Sequence, residues 1–262
     1  MIIQSPGEVA FYIFNFPVYW YGIVLAFAAF CGVCVAEFLA RRFSDIPEDF
    51  FIDVAPLVII FGIIGARVYY CLVNFHYYSS HVAEVIDIRQ GGLSIHGMII
   101  AGVVALYFIA RKYKLNLLKV LDVLACATIF AQSIGRWGNF FNSEAFGIPT
   151  YSDWGVFIPI DNRPFQYISY EFFHPTFLYE SLVDLLIFFV LLFILSKCKK
   201  SGVVFFWYLI LYSIARIFVE FIRVDSVLNI ASLPIAVIVS CILLFIGIFG
   251  VYAVSRRYHS EN

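Results

Sequence analysis

Apolar residues run along this chain in long blocks separated by short polar joints. Seven blocks stand out, at about 18–40, 52–75, 97–111, 118–137, 176–196, 203–222 and 233–254. Most reach the ~20 residues with which an α-helix crosses a ~30 Å hydrocarbon core, and the third is short. The joints are Arg41 to Phe51, His76 to His96, Lys112 to Leu117, Gly138 to Pro175, Lys197 to Gly202 and Arg223 to Ser232. The pattern predicts an all-α polytopic membrane protein of about seven transmembrane helices, a single membrane-embedded domain over 1–262. No internal repeat is evident.

Composition agrees. Of the 262 residues, 63% are hydrophobic and only 13% charged, too little polar surface to cover a water-soluble globule. A net charge of −1 gives no basic surface for nucleic acid. The six cysteines lie in or beside apolar blocks, which predicts no disulfide framework; Cys31 and Cys34 form a C-x-x-C inside an expected span and read as packing residues. Residues 1–17 hold no Lys or Arg, so the first block reads as a retained helix and not as a cleavable signal peptide.

Charge placement predicts orientation. Arg41, Arg42, Arg111, Lys112, Lys114, Lys119, Lys197, Lys199, Lys200, Arg256 and Arg257 fall on alternate joints and at the C-terminus, eleven of the seventeen basic residues on one face. By the positive-inside rule that face is cytoplasmic, which puts the N-terminus outside, the C-terminus inside and the joints 76–96 and 138–175 outside. Arg67, Arg89, Arg136, Arg163, Arg216 and Arg223 break the pattern. An arginine within a span costs roughly 2.5–3.5 kcal/mol on insertion scales, so several are expected to share a polar cavity.

Candidate chemistry gathers at the outer ends of the spans. Gly91 to Gly97 opens the third span with close-approaching backbone and with His96, either a cap or a base. Gly135-Arg136-Trp137-Gly138-Asn139-Phe140-Phe141-Asn142-Ser143-Glu144-Ala145-Phe146-Gly147 crowds an arginine, two amides and an acid together. That set suits a phosphate, although a helix end closed by Gly138 with a snorkelling Arg136 is the plainer alternative. Tyr212, Arg216, Glu220 and Arg223 fall at i, i+4, i+8 and i+11, one helical face, either a structural ion pair or an anion site. His174 to Glu180, with Asp184 a turn later, opens the fifth span and reads as a helix start. Trp20-Tyr21-Gly22 begins the first span as an interfacial belt. Arg67 is read equally well as an interhelical structural pairing or as a functional group. The histidines show no metal-ligand spacing.

Taken together, the blocks at Trp20 to Gly22, Gly91 to Gly97, Gly135 to Gly147, His174 to Glu180 and Arg216/Glu220/Arg223 resemble, in order, those of the bacterial prolipoprotein diacylglyceryl transferases. The resemblance implies a seven-span inner-membrane enzyme with no cofactor. Such an enzyme moves a diacylglyceryl group from phosphatidylglycerol to the lipobox cysteine of an exported prolipoprotein and releases glycerol 1-phosphate. It implies roles in activity or lipid binding for Tyr21, His96, Arg136, Asn139, Glu144, Gly147, Arg216 and Glu220, to which the helix-face argument adds Tyr212. Arg136 and Arg216, with Asn139, are the expected phosphate ligands, Glu220 supports Arg216, and His96 or the arginine field activates the thiol. Phe177 stands where the family often has Gln, and Met98 where a second Gly is common. A transporter for an anionic substrate and a non-catalytic scaffold are the rival readings; the first calls for inverted repeats, the second leaves residues 136–147 unexplained.

Overall fold

The computed structural model describes residues 3–87, 91–224, 229–230 and 233–260. Arg89, one of the six arginines singled out above, lies outside them. Seven helices among the described residues are long and apolar enough to cross a membrane: α1 (Trp20–Phe43), α2 (Phe50–Val73), α4 (Ile95–Lys112), α5 (Leu117–Phe141), α6 (Thr176–Lys197), α7 (Val203–Glu220) and α8 (Ile235–Ser260, spanning to Arg256). A four-residue helix, α3 (Phe75–Tyr78), follows α2. Large apolar side chains such as Phe30, Phe193, Phe245 and Phe249 stand exposed on these helices, as a hydrocarbon solvent permits and water does not.

The chain forms two compact units, Met1–Ala36 with Leu121–Asn262, and Glu37–Val120. In the second unit, α2 and α4 cross at glycines. A Cβ on Gly65 would stand 2.1 Å from the Cβ of Ala101, and one on Gly97 would stand 2.3 Å from the Gly65 carbonyl oxygen, so both positions need bare backbone. Met98 lies at the same crossing, against Gly62. The start of α2 is capped from α1: the buried Glu37 carboxylate accepts the Asp49 and Phe51 N–H groups at 2.7 and 3.2 Å and the Arg41 Nε–H at 2.9 Å.

Arg67 is resolved by its partners. Its Nε donates to the Val85 carbonyl, Nη1 to those of Gly91 and Gly92, and Nη2 to those of Glu84 and Asp87, at 2.5 to 3.0 Å. A guanidinium has five N–H donors, and all five are spent on one loop. Arg67 is therefore structural, but its partners are loop carbonyls and not another helix as expected, and no donor is left for an anion.

The first unit starts with a β-hairpin, β2 (Val9–Ile13) and β3 (Phe16–Tyr19), preceded by β1 (Ile3–Gln4). β1 pairs in parallel with β4 (Val156–Phe157), which pairs antiparallel with β5 (Phe172–Phe173). Ala145, Phe146, Val156, Ile158, Phe173 and Phe177 bury a small core beneath this sheet, with Ile3, Phe140 and Val224 against it. Phe177 packs its ring 5.2 Å from that of Phe140 and 5.8 Å from that of Trp137, so its apolar character serves the core between α5 and α6.

Candidate functional site

Two of the predicted boundaries shift, and both shifts build the site. The sequence pattern ends the fourth span at about 137, with closure by Gly138 as the plainer alternative; α5 instead continues to Phe141. Arg136 and Asn139 thus share its last two turns. Gly138 is needed there for clearance: a Cβ would meet the Tyr21 ring at 2.9 Å, which places Tyr21 directly against the end of α5. The helical face expected to carry Tyr212 through Arg223 stops early, because α7 ends at Glu220. Arg223 lies beyond it, bridged to Gly147 in antiparallel fashion, with its N–H on the Val219 carbonyl.

Three arginines converge on one carboxylate. Glu180, in the second turn of α6, places Oε2 at 2.7 Å from Arg136 Nη2 and 3.9 Å from Arg216 Nη1; its Oε1 stands 3.9 Å from Arg223 Nη1. Asp184, one turn on, is 3.8 Å from Arg136 Nε, and Glu220 binds Arg216 Nη2 at 2.9 Å. The helix ends favour this arrangement. The C-terminal turns of α5 and α7 carry partial negative charge and suit cations, while the N-terminal turns of α6 suit anions.

The formal charges balance, three against three, but their exposure does not. The carboxylate side chains of Glu180, Asp184 and Glu220 are 3–4% exposed, whereas those of Arg136, Arg216 and Arg223 are 15–18% exposed. The acids are thus more deeply buried than the guanidinium side chains that meet them. Among the described residues Arg216 Nη1 and Glu180 Oε1 make no hydrogen bond, their facing charges standing 3.9 Å off.

The remaining predicted residues surround it or lie elsewhere. Asn139 Nδ2 donates to Glu144 Oε1 at 2.8 Å, and Asn142 Nδ2 reaches the same oxygen at 3.4 Å, so the two amides hold the acid of their own turn. Ser143 and Ala145 adopt positive φ, 52° and 54°, as the chain reverses. Gly147 sits where three segments meet: its N–H donates to the His174 carbonyl, and a Cβ would stand 2.9 Å from both Ile222 Cγ2 and Thr176 Cγ2. Tyr212 stacks on Tyr208, whose hydroxyl donates to Gln132 on α5 at 3.2 Å. His96 belongs to the second unit, exposed at the start of α4 with its ring 6.0 Å from that of Tyr69.

Residues 8–253 match the model of the family described as prolipoprotein diacylglyceryl transferase. The chain belongs to that family. Relatives named phosphatidylglycerol–prolipoprotein diacylglyceryl transferase align over nearly its whole length. That of Prochlorococcus marinus (strain MIT 9301) is 38% identical over 99% of this chain and 96% of its own. Those of Synechococcus elongatus and Synechocystis sp. are each 41% identical, over 96% and 95% of this chain and 90% and 89% of theirs. The chain is accordingly a membrane-embedded transferase, an enzyme of prolipoprotein diacylglyceryl transfer.

To the arginines and Glu220 singled out from the sequence, the structure adds Glu180 and Asp184. Reading His174 to Glu180 chiefly as a helix start, with His174 and Glu180 as packing and cap partners, did not anticipate this ion pairing. The signal was present in the sequence: Glu180 and Asp184 are two acids at i, i+4 on the face of an otherwise apolar span, as costly to insert as the arginines and in need of partners.

Proposed function

We propose that the enzyme takes its diacylglyceryl group from phosphatidylglycerol and delivers it to the lipobox cysteine of an exported prolipoprotein. The cysteine thiolate attacks the glyceryl carbon that bears the phosphate oxygen. A carbon–sulfur bond forms, the carbon–oxygen bond breaks with its electron pair, and glycerol 1-phosphate leaves. The observation that carries this reading is the convergence of Arg136, Arg216 and Arg223 on Glu180, with guanidinium side chains less buried than the carboxylates they face.

Arg136 and Arg216 hold the lipid phosphate and stabilise the charge that grows on it as the bond breaks. Fixed donors in a low-dielectric cavity act most strongly on such developing charge. Glu180, Asp184 and Glu220 aim the guanidinium groups, and the Asn139–Glu144 pair with Gly147 shapes the turn beside them. Tyr21, packed on Gly138, fills the remaining side of the helix end. A thiol of ordinary pKa ~8.5 needs help to ionise. His96 is the proposed base, and replacement by Gln tests it.

In the bacterial inner membrane, the orientation that fits places the N-terminus and the loops 76–96 and 138–175 outside and the C-terminus in the cytoplasm. Lys197 at the last turn of α6 supports this: it is 17 residues, about 26 Å at 1.5 Å per residue, from Glu180, so the basic end and the cluster end of that helix are opposite. An exported precursor presents its cysteine on the cluster side.

The test is transfer of label from diacylglyceryl-labelled phosphatidylglycerol to a synthetic lipobox peptide by the purified protein. The expected result is label on the cysteine peptide, none on a Cys-to-Ser peptide, and loss with Arg136→Gln. Folded protein that transfers nothing would overturn the reading.

A further inference from the structure

Among the described residues, the large side chains of the β2–β3 hairpin are left mostly uncovered. From Val9 to Ala36 the chain carries no charged residue, although α1 begins only at Trp20. The hairpin is apolar on both faces: Phe11, Tyr12, Ile13, Phe16 and Tyr19 are all large, and each is about half exposed or more. Its register pairs Ile13 with Phe16, leaving a two-residue turn of Phe14 and Asn15 with φ of 45° and 68°. Positive φ at both positions is the type I′ turn, which favours Asn-Gly and strains a bulky L residue. Phe14 occupies the strained first position and is 94% exposed. It contributes nothing to the core, and strain kept for an exposed aromatic side chain points to a partner outside the chain.

We infer that this hairpin tip is a lipid-contacting element, its aromatic side chains seated in the phospholipid leaflet at the level of the α1 N-terminus. Continuity argues for lipid over protein: the charge-free stretch passes without a break into a membrane-spanning helix, and the Trp20 N–H bonds the Glu8 carbonyl at the hairpin base. Depth is limited by backbone chemistry. A two-stranded hairpin has unpaired edge N–H and C=O groups, which the hydrocarbon core cannot satisfy, so the tip belongs at the headgroup–acyl boundary. The hairpin is also tied to the site. Trp20 stacks on Phe141 at 4.9 Å and Ser5 Oγ donates to the Phe141 carbonyl at 2.8 Å, both at the end of the helix that carries Arg136.

The test is nitroxide labelling of Phe14→Cys in full-length protein lacking its native cysteines, reconstituted in phosphatidylglycerol-containing vesicles, with Tyr151→Cys as an exposed loop control. Power saturation is expected to show position 14 more accessible to oxygen than to a water-soluble nickel chelate, and position 151 the reverse. Preference for nickel at position 14 would overturn the inference. So would a label shielded from both reagents, which would mean that protein covers the tip. Diacylglyceryl transfer by the same labelled protein is read separately, so loss of the lipid contact and loss of the proposed activity are distinguishable.

Discussion

Arg136 Nη2 lies 2.7 Å from Glu180 Oε2, a contact between the last turns of α5 and the first turns of α6. Glu180 also faces Arg216 and Arg223, so one buried carboxylate sets the spacing of all three guanidinium groups. Removing either member therefore disturbs geometry as well as charge.

Arg136→Gln is expected to lower transfer by about 10²–10³-fold, the usual cost of deleting one donor to a charge that develops in the transition state. Arg136→Lys should recover little of it, because a point charge does not replace a planar fork held between Glu180 and Asp184. Initial rates with purified variants check both. A lysine variant near wild-type rate would remove Arg136 from the phosphate site.

Glu180→Gln leaves three facing arginines with one fewer counter-charge. Breaking a buried pair typically costs about 3–5 kcal/mol, which thermal unfolding in detergent would register as a lower midpoint. A double-mutant cycle with Arg136→Gln is expected to show coupling of roughly 0.5–3 kcal/mol. Strict additivity would mean that the contact carries no energy.

Arg67→Lys should act on the loop and not on the lipid. Three ammonium donors cannot serve five carbonyls, so at least two of these partly buried acceptors lose their partner. Faster amide hydrogen exchange over residues 82–87, with KM for the lipid unchanged, is the expected signature. A raised KM with unchanged exchange would reverse the assignment.

Asp122 is buried on α5 and accepts the Gly202 and Phe205 N–H groups at 2.6 and 2.8 Å, capping α7 from a neighbouring helix. Arg136 and Arg216 lie 14 residues beyond the two ends of this contact, so it sets the register in which they arrive. Asp122→Ala is expected to cost about 1–2 kcal/mol as a lost cap. Its transfer rate should fall more than that of a control cap variant, Glu37→Ala, in the other unit. Equal loss in both would reduce Asp122 to a stability residue.

Gly147→Ala should destabilise the junction by about 1–3 kcal/mol, since the new methyl overlaps Ile222, Thr176 and His174. Unfolding in denaturant reads this directly, and an unchanged midpoint would show that the three segments can part.

Much of this was legible in the sequence because a bilayer constrains sequence severely. Unsatisfied backbone cannot cross hydrocarbon, so the spans declared themselves as apolar blocks, and the charges that interrupt them had to be functional or paired. The five short blocks resembling the transferase family were readable for the same reason: Arg136, Asn139, Glu144 and Gly147 stand out against apolar surroundings. What the sequence left open was pairing. Whether Arg67 or Arg216 is a spent donor depends on carbonyls and carboxylates far along the chain, and only the placement of the Glu84, Val85, Asp87, Gly91 and Gly92 carbonyls and the meeting of α5, α6 and α7 decide it. Glu180 was misread because a helix-start acid and the counter-ion of three arginines look alike until the helices are packed. Helix ends behaved likewise: α5 runs past Gly138 because Tyr21 needs that bare surface, and α7 stops at Glu220 because Arg223 turns to pair with Gly147. Local propensity sees neither partner; tertiary contact supplies both.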